Sequence, residues 1–158
     1  MALYAPLIAN IIQLAATVGS VVILAHYGRR ALILFGNLSL AIIDLIIGGM
    51  FLILVYNEEA KAPVYVALVF IMIFMISYGF TIGPVVWLYV PEIIPAKWVP
   101  PATFMNWFGC SICVIVTPFI VQAVGSSYPV FFFFGAISLI FFAVNFKLVI
   151  ETKGLTLL

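Results

Sequence analysis

Five long apolar runs, each holding at most one formal charge, dominate this 158-residue chain and leave it few folds to choose from. They extend over Ala2–Ala25, Ala31–Tyr56, Val64–Val90, Thr103–Val124 and Val130–Ile150. A run of roughly 18 or more such residues is long enough, as a helix, to cross a bilayer. Composition agrees: 67% of residues are hydrophobic and 7% charged, where soluble domains carry about a quarter charged. The mean hydropathy is +1.38. A chain of this kind cannot cover its surface for water. Barrel strands are ~9–11 residues of alternating polarity, and these runs are twice that length without alternation. Backbone groups in lipid must then be satisfied inside each segment, which requires helices. The expected fold is an all-α, polytopic transmembrane helical bundle of about five spans.

The joints between runs set the orientation. His26-Tyr27-Gly28-Arg29-Arg30 ends the first run, Asn57 to Pro63 the second and Gly125 to Pro129 the fourth. After the third, Pro91, Pro95, Pro100 and Pro101 forbid a straight helix. The joints after the first, third and fifth runs hold Arg29, Arg30, Lys97, Lys147 and Lys153, five of the six cations, and Lys61 stands alone opposite. The positive-inside rule then places the tail 151–158 in the cytoplasm and the N-terminus outside, with Glu58 and Glu59 facing outward. A net charge of +1 with single, scattered cations excludes a nucleic-acid partner. The first run lacks a basic flank and exceeds a signal-peptide core, so it is expected to be retained. An N-out chain that opens directly in a span predicts a fragment whose earlier helices lie elsewhere.

Five motifs in order now carry a resemblance. Gly28-Arg29-Arg30, Gly83-Pro84-x-x-Trp87, Pro91-Glu92-x-x-Pro95, Asn106-Trp107 and Glu151-Thr152-Lys153-Gly154-Leu155-Thr156 together resemble the sugar porters of the major facilitator superfamily. In that family they follow the eighth helix, lie in the tenth, join the tenth to the eleventh, lie in the eleventh and follow the twelfth. The resemblance covers 1–158 as a partial C-terminal transmembrane domain, helices 8–12. It implies alternating-access transport of a hexose-like solute, with an N-terminal helix bundle as partner. Some positions depart from the pattern. Ala25 stands where an acid is usual and His26 at the next basic position. Val86 replaces the second proline of the tenth-helix motif, Val99 a second cation, Cys110 an asparagine and Ile150 a proline. The stretch from Glu92 to Asn106 is about one helical turn short. A degenerate, non-transporting membrane subunit, or a carrier of another small organic solute, are the alternatives.

A sugar needs amides or carboxylates for its hydroxyls and an aromatic face for its ring. The resemblance implies Trp87 as that platform, Gln13 as a mid-span amide and Asn106 as a third contact. Packing or interfacial placement competes for Trp87, helix-to-helix bonding for Gln13 and helix capping for Asn106. Gly83 and Pro84 remove a side chain and an amide donor, which permits a hinge or a static kink. Arg29, Arg30, Glu92 and Glu151 share one membrane face by topology, where carboxylate–guanidinium pairs would form a cytoplasmic gate or remain solvated loop charges. Asp44 is the one charge deep in a span. We read it as a neutral, hydrogen-bonded structural acid in preference to a proton-coupling site. Cys110 and Cys113 read as packing cysteines, and His26 as an interfacial residue. No catalytic constellation, phosphate loop or metal cluster is legible in the sequence, so neither an enzyme nor a cofactor is expected.

Overall fold

In the computed structural model, which describes residues 4–57 and 60–154, the chain forms six α-helices. These are α1 (Tyr4–His26), α2 (Arg29–Tyr56), α3 (Lys61–Phe80), α4 (Ile82–Ile93), α5 (Val99–Val124) and α6 (Tyr128–Leu148), with a single 3-10 turn at Ala96–Trp98 before α5. Glu58, Glu59 and the tail beyond Gly154 lie outside the described residues. Among the described residues, four stretches are long and apolar enough to cross a membrane: Arg29–Tyr56, the broken Lys61–Ile93, Ala96–Val124 and Tyr128–Leu148. Within α1, Asn10–His26 is a shorter apolar stretch.

The third run is two helices. Pro84 has no N–H to reach the carbonyl of Phe80, and its ring crowds that carbonyl, so the ladder fails one turn upstream. The failure falls on Thr81, at φ −116°, ψ −99°. There the Thr81 hydroxyl donates to the Ser77 carbonyl at 2.6 Å, and the Thr81 amide reaches Ser77 and Tyr78 carbonyls at 3.1 and 3.3 Å. The prolines expected to break the chain act more mildly at α5. Pro100 stands in its first turn, where the missing N–H would be unpaired anyway. The bend falls earlier, at Ile94 and Pro95. Gly125 closes α5 at φ 74°, a left-handed conformation that glycine adopts without a Cβ clash.

Helices of similar hydrophobicity to lipid associate through small residues that admit close contact. Gly79 of α3 lies where a Cβ would stand 2.8 Å from that of Ala16 on α1. Gly36 of α2 receives Thr81 and Ile82 at the break. Gly48 of α2 faces Phe132, and Gly135 of α6 faces Leu45. The central helix is therefore α2, with α3 and α4 on one side and α6 on another. Residues Leu24, Leu32, Ile33, Val85, Tyr89 and Val149 join α1, α2, α4 and the start of the tail in one buried cluster. None of α5 is buried. Its exposed face carries Trp107, Ile112, Ile115 and Phe119.

Candidate functional site

Antiparallel connection brings the end of α1, the start of α2, the end of α4 and the tail to one end of the bundle, here called the basic end. The first amides of a helix lack intrahelical partners, and Gly28, the N-cap of α2, has no side chain to supply one. Glu151 supplies it from 122 residues away. Its Oε1 accepts the Arg29 amide at 2.8 Å and its Oε2 the Arg30 amide at 3.2 Å, and Oε1 also accepts the Lys153 amide at 3.0 Å. A carboxylate there also complements the positive end of the helix dipole. A Cβ on Gly28 would lie 2.5 Å from Glu151 Cδ, so only glycine lets the carboxylate approach. Desolvation pushes the Glu151 carboxyl up, but amide hydrogen bonds from Lys153, Arg29, Arg30 and Thr152 pull it down further, leaving it below its ordinary value.

Around this cap the side chains interlock. Arg29 Nη2 and Glu92 Oε1 form an ion pair at 3.2 Å, both side chains about three-quarters buried. Thr152 donates to the other Glu92 oxygen at 2.5 Å. Arg30 Nη2 donates to the Phe146 carbonyl at 3.0 Å and its guanidinium lies over the Phe146 ring. Lys153 Nζ donates to the His26 carbonyl at 2.8 Å. The Tyr89 hydroxyl accepts from the Ile150 amide and donates to the Ile150 carbonyl, at 3.2 and 3.3 Å. The structure thus brings Arg29, Arg30, Glu92 and Glu151 together, with one correction. Only Arg29 and Glu92 make a carboxylate–guanidinium pair; Arg30 turns to a backbone carbonyl and Glu151 to backbone amides. Tyr89 and Thr152 complete the network and were not singled out from sequence. Thr152 stood inside a motif already noted, whereas nothing local distinguishes Tyr89.

Trp87 and Asn106 meet between α4 and α5. Both line a pocket of about 70 Å³ with Val90, Pro91 and Thr103, and the Trp87 and Trp107 rings stand 6.3 Å apart. That volume holds about two waters at ~30 Å³ each, so alone it is no hexose cavity. It is one wall of an open site, with Trp87 47% exposed. Asn106 lies two turns inside α5, whose N-cap is Trp98, so it caps nothing. Gln13 is on α1, where its backbone carbonyl accepts the Thr17 hydroxyl at 2.9 Å and faces Gly79. It does not share the Trp87 pocket. Gly83 and Pro84 open α4 just beyond the break, and a Cβ on Gly83 would stand 3.0 Å from the Tyr78 carbonyl.

Asp44 is buried on the stretch of α2 that packs on α6. His26 is exposed, with Nδ1 2.8 Å from the Val22 carbonyl. Cys110 and Cys113, expected to pack, are exposed, because nothing among the described residues lies against that face of α5.

Comparison with known proteins bears on what such an arrangement serves. The model of a family described as "Sugar (and other) transporter" matches residues 2–158. Trehalose transporter 1 of Drosophila melanogaster is 28% identical over 96% of this chain and 18% of its own length. A putative metabolite transport protein of Bacillus subtilis, YwtG, is 30% identical over 92% of this chain and 32% of its own. Among solved structures, the inward-open Escherichia coli xylose transporter XylE superposes with a TM-score of 0.84 at 24% identity, over 97% of this chain and 34% of that one. The chain therefore spans between about a fifth and a third of the length of these proteins.

Proposed function

The chain belongs to the sugar (and other) transporter family, the sugar porters of the major facilitator superfamily, and we propose that it forms one side of the path of a carrier for a hexose-like solute. The observation that carries this reading is the family match over residues 2–158 together with Trp87 and Asn106 on one open wall. Trp87 is the platform for the sugar ring, an apolar face whose N–H still bonds outward. Asn106 beside it and Gln13 on α1 offer amides that pair with hydroxyls. An N-terminal helix bundle supplies the opposite wall, and the solute binds between the two near the bilayer midplane.

Alternating access then needs a helix that bends and an end that opens. The break at Thr81, set by Pro84, gives α4 a pivot relative to α3, and α4 carries Trp87. The basic end faces the cytoplasm, since five of six cations lie there. Its Arg29–Glu92 pair and Glu151 cap hold this side of the gate as one block, against which the partner bundle closes.

Uptake of labelled hexose by cells producing the polypeptide that carries this sequence tests the reading. Saturable uptake, lost in Trp87→Ala and Gln13→Ala, supports it; unchanged uptake in both variants removes the site. The losses at Val86, Val99 and Cys110 favour a second reading, a non-transporting subunit, for which the outcome is correct insertion without uptake of any solute offered.

A further inference from the structure

We propose that Asp44 binds a proton in the middle of the bundle: it is a neutral carboxylic acid whose O–H donates to a carbonyl of its own helix, and this proton keeps the seam between α2 and α6 closed. Asp44 lies 15 residues after Arg29 and 12 before Tyr56, ~22 and ~18 Å along the axis at 1.5 Å per residue. That is close to the midplane of a ~30 Å hydrocarbon layer. Only 5% of its surface is open, so its surroundings belong to this chain.

Those surroundings hold nothing for a charge. On α2, Leu40, Ala41, Ile47 and Gly48 flank it on the buried face. On α6, Phe132 lies against Gly48 and Gly135 against Leu45. On α3, the Ser39–Ser77 and Gly36–Thr81 contacts set an antiparallel register that puts Met72 and Ile73 at its level. Helix α4 packs two turns lower, at Gly36 and Leu32. The titratable residues of the two neighbours at this level are Lys61, Tyr65 and Tyr78 on α3 and Tyr128 and Lys147 on α6. By these registers none comes within one turn of Asp44, ~5.4 Å. Ser39 spends its hydrogen on the Gly36 carbonyl, and Ser77 spends its own on Ser39. Among the described residues no N–H or O–H donor reaches the Asp44 carboxyl, and the one carboxylate–cation pair is Arg29–Glu92.

A carboxylate with neither donors nor a cation keeps its full desolvation cost, whereas the acid is neutral and has an O–H to give. The preceding turn of α2 can take it. Ser39 donates to the Gly36 carbonyl at 3.0 Å and Ser20 to the Thr17 carbonyl at 2.6 Å, each three residues back. The counterpart for Asp44 is Ala41, whose carbonyl keeps a second lone pair beside its ladder bond. That carbonyl is open because position 135 is glycine: a Cβ there would stand 3.3 Å from it. Ionisation would leave a charge that only water or a cation drawn between α2 and α6 could satisfy, so the proton acts as a ligand of the closed seam. This holds whatever solute the Trp87 wall takes.

Infrared spectroscopy of the full polypeptide, reconstituted in lipid at neutral pH with and without carboxyl-labelled 13C-aspartate, tests this. The parent-minus-Asp44→Asn difference is expected to contain the C=O stretch of a protonated carboxyl that moves with the label, at the position of a hydrogen-bonded acid. Asp44→Leu gives the same band as a second reference, and circular dichroism checks folding of every variant. Gly135→Ala, which crowds the Ala41 carbonyl, is expected to shift the band towards that of a free acid. Carboxylate stretches in place of the protonated band, as a cation from elsewhere in the polypeptide would produce, overturn the proposal; so does a band already at the free-acid position, or one that Gly135→Ala leaves unmoved.

Discussion

Replacing Gly28 by alanine isolates the device on which the basic end is built. The backbone at Gly28, φ −72° and ψ 152°, suits any residue, so the change carries no conformational strain. Its cost comes from the Cβ alone, placed 2.5 Å from Glu151 Cδ. The carboxylate must retreat, and the Arg29 and Arg30 amides lose their acceptor. A lost N-cap costs ~1 kcal/mol, within a range of about 0.5–2. Because Glu151 stands largely in solvent, water replaces part of the bond, and the expected loss stays at about 1 kcal/mol. Thermal unfolding of purified protein, followed by circular dichroism, measures it. The decisive arm is the Glu151→Ala background, where no carboxylate remains to be displaced. There Gly28→Ala should cost only a few tenths of a kcal/mol, giving a coupling of about 1 kcal/mol in the double-mutant cycle. Additive losses, or a Gly28→Ala protein as stable as the parent, would refute the cap.

Other consequences follow from the same contacts. The Glu151 carboxyl lies below its ordinary value of 4.5 in the folded protein. Its stabilisation is therefore present above that value and lost as pH falls through the lower folded one, and Glu151→Gln should flatten the acid limb of an unfolding-versus-pH curve. Tyr89→Phe removes the hydroxyl that pairs with both backbone groups of Ile150; about 1 kcal/mol of stability and a matching rise in hydrogen exchange at the Ile150 amide are expected. Gly36→Val forces side-chain atoms onto Thr81 and Ile82, where even a Cβ would stand 2.6 Å away, and should cost about 1–3 kcal/mol by overpacking in the same unfolding assay.

The Pro84 case shows how local rules and packing divide the work. A proline defect displaced one turn upstream is a property of the ring and its missing amide, and so could be read from the chain. The choice of Thr81 as the residue that absorbs it also depends on Gly36 of α2 pressing there, a contact 45 positions away in sequence. Likewise, Gly28-Arg29-Arg30 and Glu151-Thr152 were visible as motifs, and topology put them at the same end. Which groups pair was invisible. Carboxylate and guanidinium suggested one another by charge, yet the orphan amides of a glycine-capped helix claimed Glu151 first.

Sequence by itself determined that the fold is helical and apolar throughout, because hydrocarbon leaves the backbone no other way to satisfy its hydrogen bonds over such lengths. It also determined the sorting of cations to one end, which depends only on counting antiparallel runs. Tertiary structure decided what lies beside what: Trp87 with Asn106 but not Gln13, and Tyr89 with Ile150. In lipid the apolar face of every helix is equally content, so hydrophobic pattern carries no instruction about neighbours. Small residues, steric fit and a few polar bonds choose among them, and these are met only when the helices are already together.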